Sequence, residues 1–183
     1  MHHDTGSKGS EAGMAAKKRL AATAPVHLRR MYLDIRYGQL HLTTAYPASG
    51  GFDEATPVIF LHADDGNGAD FNRCAVLLGT DRSIFAPDLP GSGGSDAPKG
   101  RMSVAGLALA VVDLVGVGRG ALVAYELATT RAQEVRRLVN AGGPEPQVPI
   151  TQPMIRLSSD PACLLEEPSE AMAGQIRAFL DRV

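Results

Sequence analysis

The chain has 183 residues, 44% hydrophobic and 21% charged, with a formal net charge of −2. That length suits one domain with a sizeable core, and the near-neutral balance leaves no footprint for nucleic acid or for a basic patch on a membrane. The longest apolar stretches, such as residues 104–117, are interrupted by Gly and Asp and are too short to span a bilayer.

Residues 1–25 mix Gly, Ser, Ala, Lys and His with almost no large apolar side chains. Such a segment cannot bury enough surface to offset its chain entropy, so a disordered tail is expected there, followed by one domain over 26–183. It has no apolar stretch of the signal-peptide kind. Order is expected to begin near Met31. Residues 32–37 and 40–46 alternate around Gly38-Gln39, which predicts a β-hairpin. Residues 57–62 form a continuous apolar run, as in a strand buried on both faces. A helix is predicted over 67–78 with Ala69, Phe71, Val76 and Leu77 inward, then a strand over 83–87 and a short helix over 103–110. Further strands are predicted at 111–115, 135–140 and 153–157, with helices at 121–130 and 168–182. The last helix turns Ala171, Ile176, Phe179 and Leu180 inward. Strands alternating with helices imply an α/β fold, a mostly parallel sheet with helices on both faces. Its central strands should be 58–61, 84–86, 111–115 and 135–139. Cys74 and Cys163 fit no metal or redox spacing and read as reduced, partly buried thiols, which points to a cytoplasmic protein.

Three motifs sit where strands end. The first runs Phe60-Leu61-His62-Ala63-Asp64-Asp65-Gly66-Asn67-Gly68, a strand breaking into a small-residue loop. The second is Pro87-Asp88-Leu89-Pro90-Gly91-Ser92-Gly93-Gly94-Ser95. The third is Val115-Gly116-Val117-Gly118-Arg119-Gly120-Ala121, a strand, a sharp turn and a helix. In this order and spacing they resemble the α/β-hydrolase family: its His-Gly oxyanion loop, its Asp-x-x-Gly-x-Gly-x-Ser turn and its nucleophile elbow. Residues 164–168 and 175–180 resemble the end of that family. The resemblance covers residues 31–183 and implies kinship with esterases and other carbon-ester or C–C hydrolases.

The same resemblance shows what is missing. The family elbow reads Gly-x-Ser-x-Gly and lifts a serine out of the sheet, beside backbone N–H groups that stabilise an oxyanion. Here the serine position is Gly118, which has no side chain with which to attack. The family's base is a late histidine, yet no histidine follows His62 in this chain. The place where relatives carry it is Ala162. The acid corresponds to Asp160, though Asp before Pro also suits a turn. His62 matches an oxyanion-loop histidine, which is usually a structural contact. His62, Ala63, Asp64 and Arg119 are therefore the candidate oxyanion or ligand-binding set. The N–H groups of Asp64 and Arg119 should face one spot, with the Arg119 side chain adding positive charge. The vestigial catalytic positions are Gly118, Asp160 and Ala162.

Spacing departs from the family in three places. The crossover at 103–111 is short, no room exists between Gly143 and Thr151 for a helical lid, and none exists between Asp160 and Leu164 for a last strand. A truncated, lidless pseudoenzyme is implied: a non-catalytic binding or interaction protein that takes a small carboxylate or ester. Uncovered apolar surface near the strand ends favours homo-oligomers. A residual or atypical hydrolase is the alternative. A further alternative is a dinucleotide-binding protein, since Gly116-x-Gly118-x-x-Ala121 follows a strand and opens a helix, although the ribose-binding acid's place holds Asn140. Asp64 and Asp65 are adjacent on a loop, so their carboxylates point apart and no metal site is expected. No cofactor is implied.

Overall fold

The computed structural model describes residues 26–35, 38–48, 55–97, 112–157 and 170–182. Among these residues lies one seven-stranded sheet, in the order β1-β2-β4-β3-β5-β6-β7. The strands are β1 (His27–Ile35), β2 (Gly38–Tyr46), β3 (Ala55–Leu61), β4 (Arg82–Pro87), β5 (Val112–Val117), β6 (Val135–Ala141) and β7 (Met154–Leu157). A 3₁₀ turn (Gly68–Phe71) leads into helix α1 (Asn72–Leu78). Helix α2 (Gly120–Thr130) follows β5, and α3 (Glu170–Leu180) comes after β7. β1 and β2 run antiparallel, as do β2 and β4; β3 to β7 are parallel throughout. The four segments expected at the centre all fall on interior strands.

Alternation along the strands divides the core between the two faces. Val58 and Phe60 pack with Phe71, Cys74, Ala75 and Leu78 of the first helical segment and with Ile176, Phe179 and Leu180 of α3. Ile59 and Leu61 pack on the other face with Ala121, Ala124, Tyr125 and Leu127 of α2. Each face of β3 thus meets a helix, which is why residues 58–61 are apolar without interruption. Phe60 and Phe71 stack with ring centroids 4.8 Å apart, a contact worth about 1 kcal/mol beyond the area it buries.

Several boundaries move. β1 starts at His27, four residues before Met31, and pairs along its whole length with β2, from His27 opposite Tyr46 to Ile35 opposite Gly38. Gly38 therefore belongs to a strand, and residues 36–37 between the two strands lie outside the described residues. The single helix expected at 67–78 divides into a 3₁₀ turn and α1. Asn67 caps the turn, its side chain accepting the Ala69 N–H while Asp70 accepts the Asn67 N–H. A 3₁₀ turn advances 120° per residue rather than 100°. The inward face rotates accordingly to Phe71, Cys74, Ala75 and Leu78. Ala69 and Val76 face solvent and Leu77 is half-buried, so three of the four residues expected inward are not in the core. In α3, Ile176, Phe179 and Leu180 are buried as expected.

The segment 142–153 runs from β6 to β7 without a helix, so nothing there forms a lid. The expected tail at 1–25 and the helix at 103–110 lie outside the described residues.

Candidate functional site at the strand C-termini

β5 ends in Val117, and the chain then turns sharply into α2. Gly118 occupies the left-handed region at φ +53°, where a side chain costs about 1 kcal/mol or more of strain. Its N–H donates to the Ala141 carbonyl at 3.0 Å, and its carbonyl accepts from Ala121 N–H at 3.2 Å. A Cβ added at Gly118 would meet only Ala63, at 3.2 Å from that residue's Cβ. Gly120 differs. A Cβ there would lie 2.2 Å from the Leu61 carbonyl oxygen and 2.5 Å from that of His62. Gly120 lets α2 lie directly on the end of β3, which brings the loop after β3 against the elbow.

That loop starts with His62, buried at 1% exposure. Its Nε2 accepts the Leu89 N–H at 2.8 Å, which leaves the ring proton on Nδ1 to donate to the Ala63 carbonyl at 2.5 Å. Both ring nitrogens are engaged within the chain. The histidine therefore locks the 62–66 loop to the turn after β4, and it does not present its ring to a ligand. Asp64 and Arg119 bridge the loop and the elbow through an ion pair, Nη1 to Oδ2 at 2.5 Å, with side chains 60% and 71% exposed. The expected positive charge at this spot is thus balanced by Asp64. Among the described residues, the N–H groups of Asp64 and Arg119 donate to no backbone carbonyl. Asp65 joins no group of potential metal ligands among the described residues.

The glycine-rich turn after β4 is organised by Asp88, which is 3% exposed. Its carboxylate accepts the Gly68 and Gly94 N–H groups, each at 2.7 Å, and the His41 ring at 2.8 Å. Burial works against its charge, but the Gly94 and Gly68 N–H groups and His41 outweigh burial and hold the carboxyl below its usual range. Ser95 Oγ donates to the Asp88 carbonyl at 2.7 Å and accepts the His41 N–H at 2.9 Å. Sequence reasoning singled out the turn but not His41, which comes from β2 and meets Asp88 only because β2 pairs with β4. The sole signal in the sequence is a histidine on the second hairpin strand, two strands ahead of the one that leads into the Asp-x-x-Gly-x-Gly turn.

At the end of β6, Asn140 is fully buried. Its Nδ2 donates to Tyr125 Oη at 2.5 Å and to the Pro144 carbonyl at 3.0 Å, and its Oδ1 accepts the Gly143 N–H at 2.8 Å. This is the place where a dinucleotide site needs its ribose-binding acid, and the Asn140 amide is consumed in pinning residues 143–144. The structure brings together Gly118, His62, Ala63, Asp64 and Arg119; Asp160 and Ala162 lie outside the described residues. Cys74 is buried, and burial pushes its thiol up to about 11; Cys163 lies outside the described residues.

With this geometry in hand, the similarity to solved structures has a physical meaning. The chain superposes on an epoxide hydrolase, CorEH, with a TM-score of 0.56 and 21% identity, covering 69% of this chain and 46% of that one. It matches an N-acyl homoserine lactonase, AidH, with a TM-score of 0.53 and 21% identity, covering 64% and 46%. It also matches the thioesterase domain of the curacin biosynthetic pathway, with a TM-score of 0.52 and 22% identity, covering 67% and 49%. The chain therefore has the α/β-hydrolase fold. It spans about half the length of these structures. No protein-family model matches it, and no curated protein does so by sequence. Among the described residues no helix is long and apolar enough to cross a membrane.

Proposed function

We propose that this chain is a non-catalytic binding protein on an α/β-hydrolase scaffold, holding a small carboxylate or ester between the 62–66 loop and the elbow. The observation that carries this reading is Gly118. It has the backbone conformation of an elbow, with the Ala63 side chain as the nearest neighbour of an added Cβ, but no side chain of its own. Acyl transfer needs a nucleophile, a base that takes its proton and an oxyanion hole, and the first two act as a unit. No histidine follows His62 in this chain to serve as the base. What stays is the third element: the Asp64 and Arg119 N–H groups, at the head of α2, where the helix dipole favours negative charge. Neighbours named as hydrolases of epoxides, lactones and thioesters support a ligand with a polarised oxygen. We infer a cytoplasmic setting, where thiols such as Cys74 stay reduced.

The test combines binding and turnover. Titration of the isotopically labelled protein with hexanoate or ethyl hexanoate should shift the amide resonances of Asp64 and Arg119 to saturation. The same sample should neither hydrolyse p-nitrophenyl acetate at enzyme-like rates nor react with a fluorophosphonate. A Gly118→Ser variant should stay within roughly 10³ to 10⁴ of the rate in water, the level left by an oxyanion hole and binding alone. Enzyme-like turnover by the unmodified chain, abolished by substitution at Gly118, would establish an atypical hydrolase instead. Unmoved amides at Asp64 and Arg119 would remove the binding reading.

A further inference from the structure

The most exposed strand of the sheet is β1. His27 to Tyr32 all face solvent, and three of the six large exposed hydrophobic side chains among the described residues lie on it: Leu28, Met31 and Tyr32, the last 57% exposed. The other three are dispersed: Val76 on α1, Leu122 on α2 and Val148 in the 142–153 segment. Among the described residues β1 pairs with β2 alone, which leaves the backbone donors and acceptors of alternate residues along its nine-residue length facing the free edge. It contains no Pro, Gly or Lys, the residues that usually blunt such an edge.

We propose that β1 joins a second copy of this chain edge to edge, antiparallel, about a two-fold axis beside Tyr32. An antiparallel two-fold runs perpendicular to the sheet, so only residues of the same strand face can lie opposite each other. That parity limits the registers. With the axis at Tyr32, Arg30 of each copy lies opposite Asp34 of the other, and Met31 lies opposite Leu33. Moving the axis to Met31 sets Arg29 opposite Leu33 and Arg30 opposite Tyr32. Moving it to Leu33 sets Asp34 opposite Tyr32, and moving it to Arg30 stacks arginine on arginine. Of these four registers only the one at Tyr32 gives opposite charges, and it gives them twice. The groups are available for this pairing. No ion pair among the described residues involves Arg29 or Arg30. Asp34 is exposed and accepts one hydrogen bond, from Gln39 Nε2 at 3.1 Å. Tyr32 is backed by the His41 ring at 5.0 Å, which fixes its side of the strand. An edge contact of nine residues falls at the small end of interface sizes, so the dimer is weak and concentration-dependent.

Sedimentation equilibrium of the full chain over a concentration series decides the matter. A monomer–dimer equilibrium is expected. Arg30→Asp and Asp34→Arg should each weaken it by about tenfold or more, because each puts like charges opposite at two places. The double variant carrying both changes restores both opposite-charge pairs and should return to within about threefold of the parent. Tyr32→Pro should abolish association, since proline removes an edge donor; circular dichroism of each variant checks that the fold persists. A monomer at every concentration, a dimer indifferent to these substitutions, or a double variant no better than the singles would each overturn the proposal. All of these outcomes are independent of whether the elbow binds a ligand.

Discussion

The two ends of the parallel strands are built on opposite plans. At the C-terminal end, shape comes from missing side chains: Gly118 and Gly120 let the loop, the elbow and α2 approach until backbone meets backbone. The ion pair there is exposed and of the kind worth less than about 1 kcal/mol. At the N-terminal end, shape comes from charged side chains. Arg82 is wholly buried, with Nε 2.9 Å from Asp81 and Nη2 2.5 Å from Asp181. Asp113 takes the Arg136 fork at 2.9 and 2.5 Å. Arg136 and Arg137 also donate to the Leu180 carbonyl at 2.7 and 3.1 Å, closing the C-terminus of α3, where cations suit the helix dipole. Arg177 ties α3 to the last carbonyls of α1. One end is shaped by close backbone approach; the other fastens the last helix to the sheet.

If that contrast is right, the largest single effect should come from a methyl group at the first end. Gly120→Ala puts a Cβ into the Leu61 and His62 carbonyls, and no flexible side chain can yield. We expect a loss of more than about 3 kcal/mol in urea unfolding, at the upper end for overpacking, whereas Gly118→Ala should cost about 1 kcal/mol. Equal costs for the two would mean that the elbow is looser than its geometry implies.

At the opposite end, Arg82 tests whether charge or volume matters. Among the described residues its Nη1 is buried without a partner, so part of its charge is already a liability. Arg82→Ala should cost about 3 kcal/mol through the cavity it leaves, and Arg82→Met, which fills that volume, about 1 kcal/mol or less. A methionine variant as unstable as the alanine variant would show that the ion pairs themselves fasten α3.

The smallest of the three effects sharpens the comparison through pH. The Asp88 carboxyl is held below its ordinary range in the folded chain, so its contribution is complete above that range and is lost as pH falls through the lowered value. Asp88→Asn should cost about 2 kcal/mol at neutral pH, and the difference from the parent should shrink as pH drops below about 4. Asp113 has the opposite sign. Burial pushes its carboxyl up, and Arg136 restores it only in part. Ionising Asp113 as pH rises therefore opposes folding, so stability falls through that range, and Asp113→Asn should remove this fall rather than the acid loss. Unfolding curves across the acid range, compared for both variants, separate the two carboxylates.

Much of this was readable from composition and periodicity. A continuous apolar run such as residues 58–61 reports burial on both faces, whatever the neighbouring strand is, so the centre of the sheet was legible. So was the elbow, because the glycine spacing Gly116-x-Gly118-x-Gly120 records a local backbone need. The inward face of α1 was not, since a 3₁₀ turn at Gly68–Phe71 shifts the helical phase while leaving the spacing of apolar residues ambiguous. The true start of β1 was also hidden, because an exposed edge strand has no buried face to impose alternation. Partners distant in sequence were beyond any local pattern. His41 meets Asp88 across 47 positions, and Arg82 meets Asp181 across 99. Sequence alone thus determined which segments must be buried and where the backbone must bend, because both are properties of a residue and its near neighbours. Only the tertiary structure decided which charges face which, because strand order, not chain order, sets the distances over which charges act.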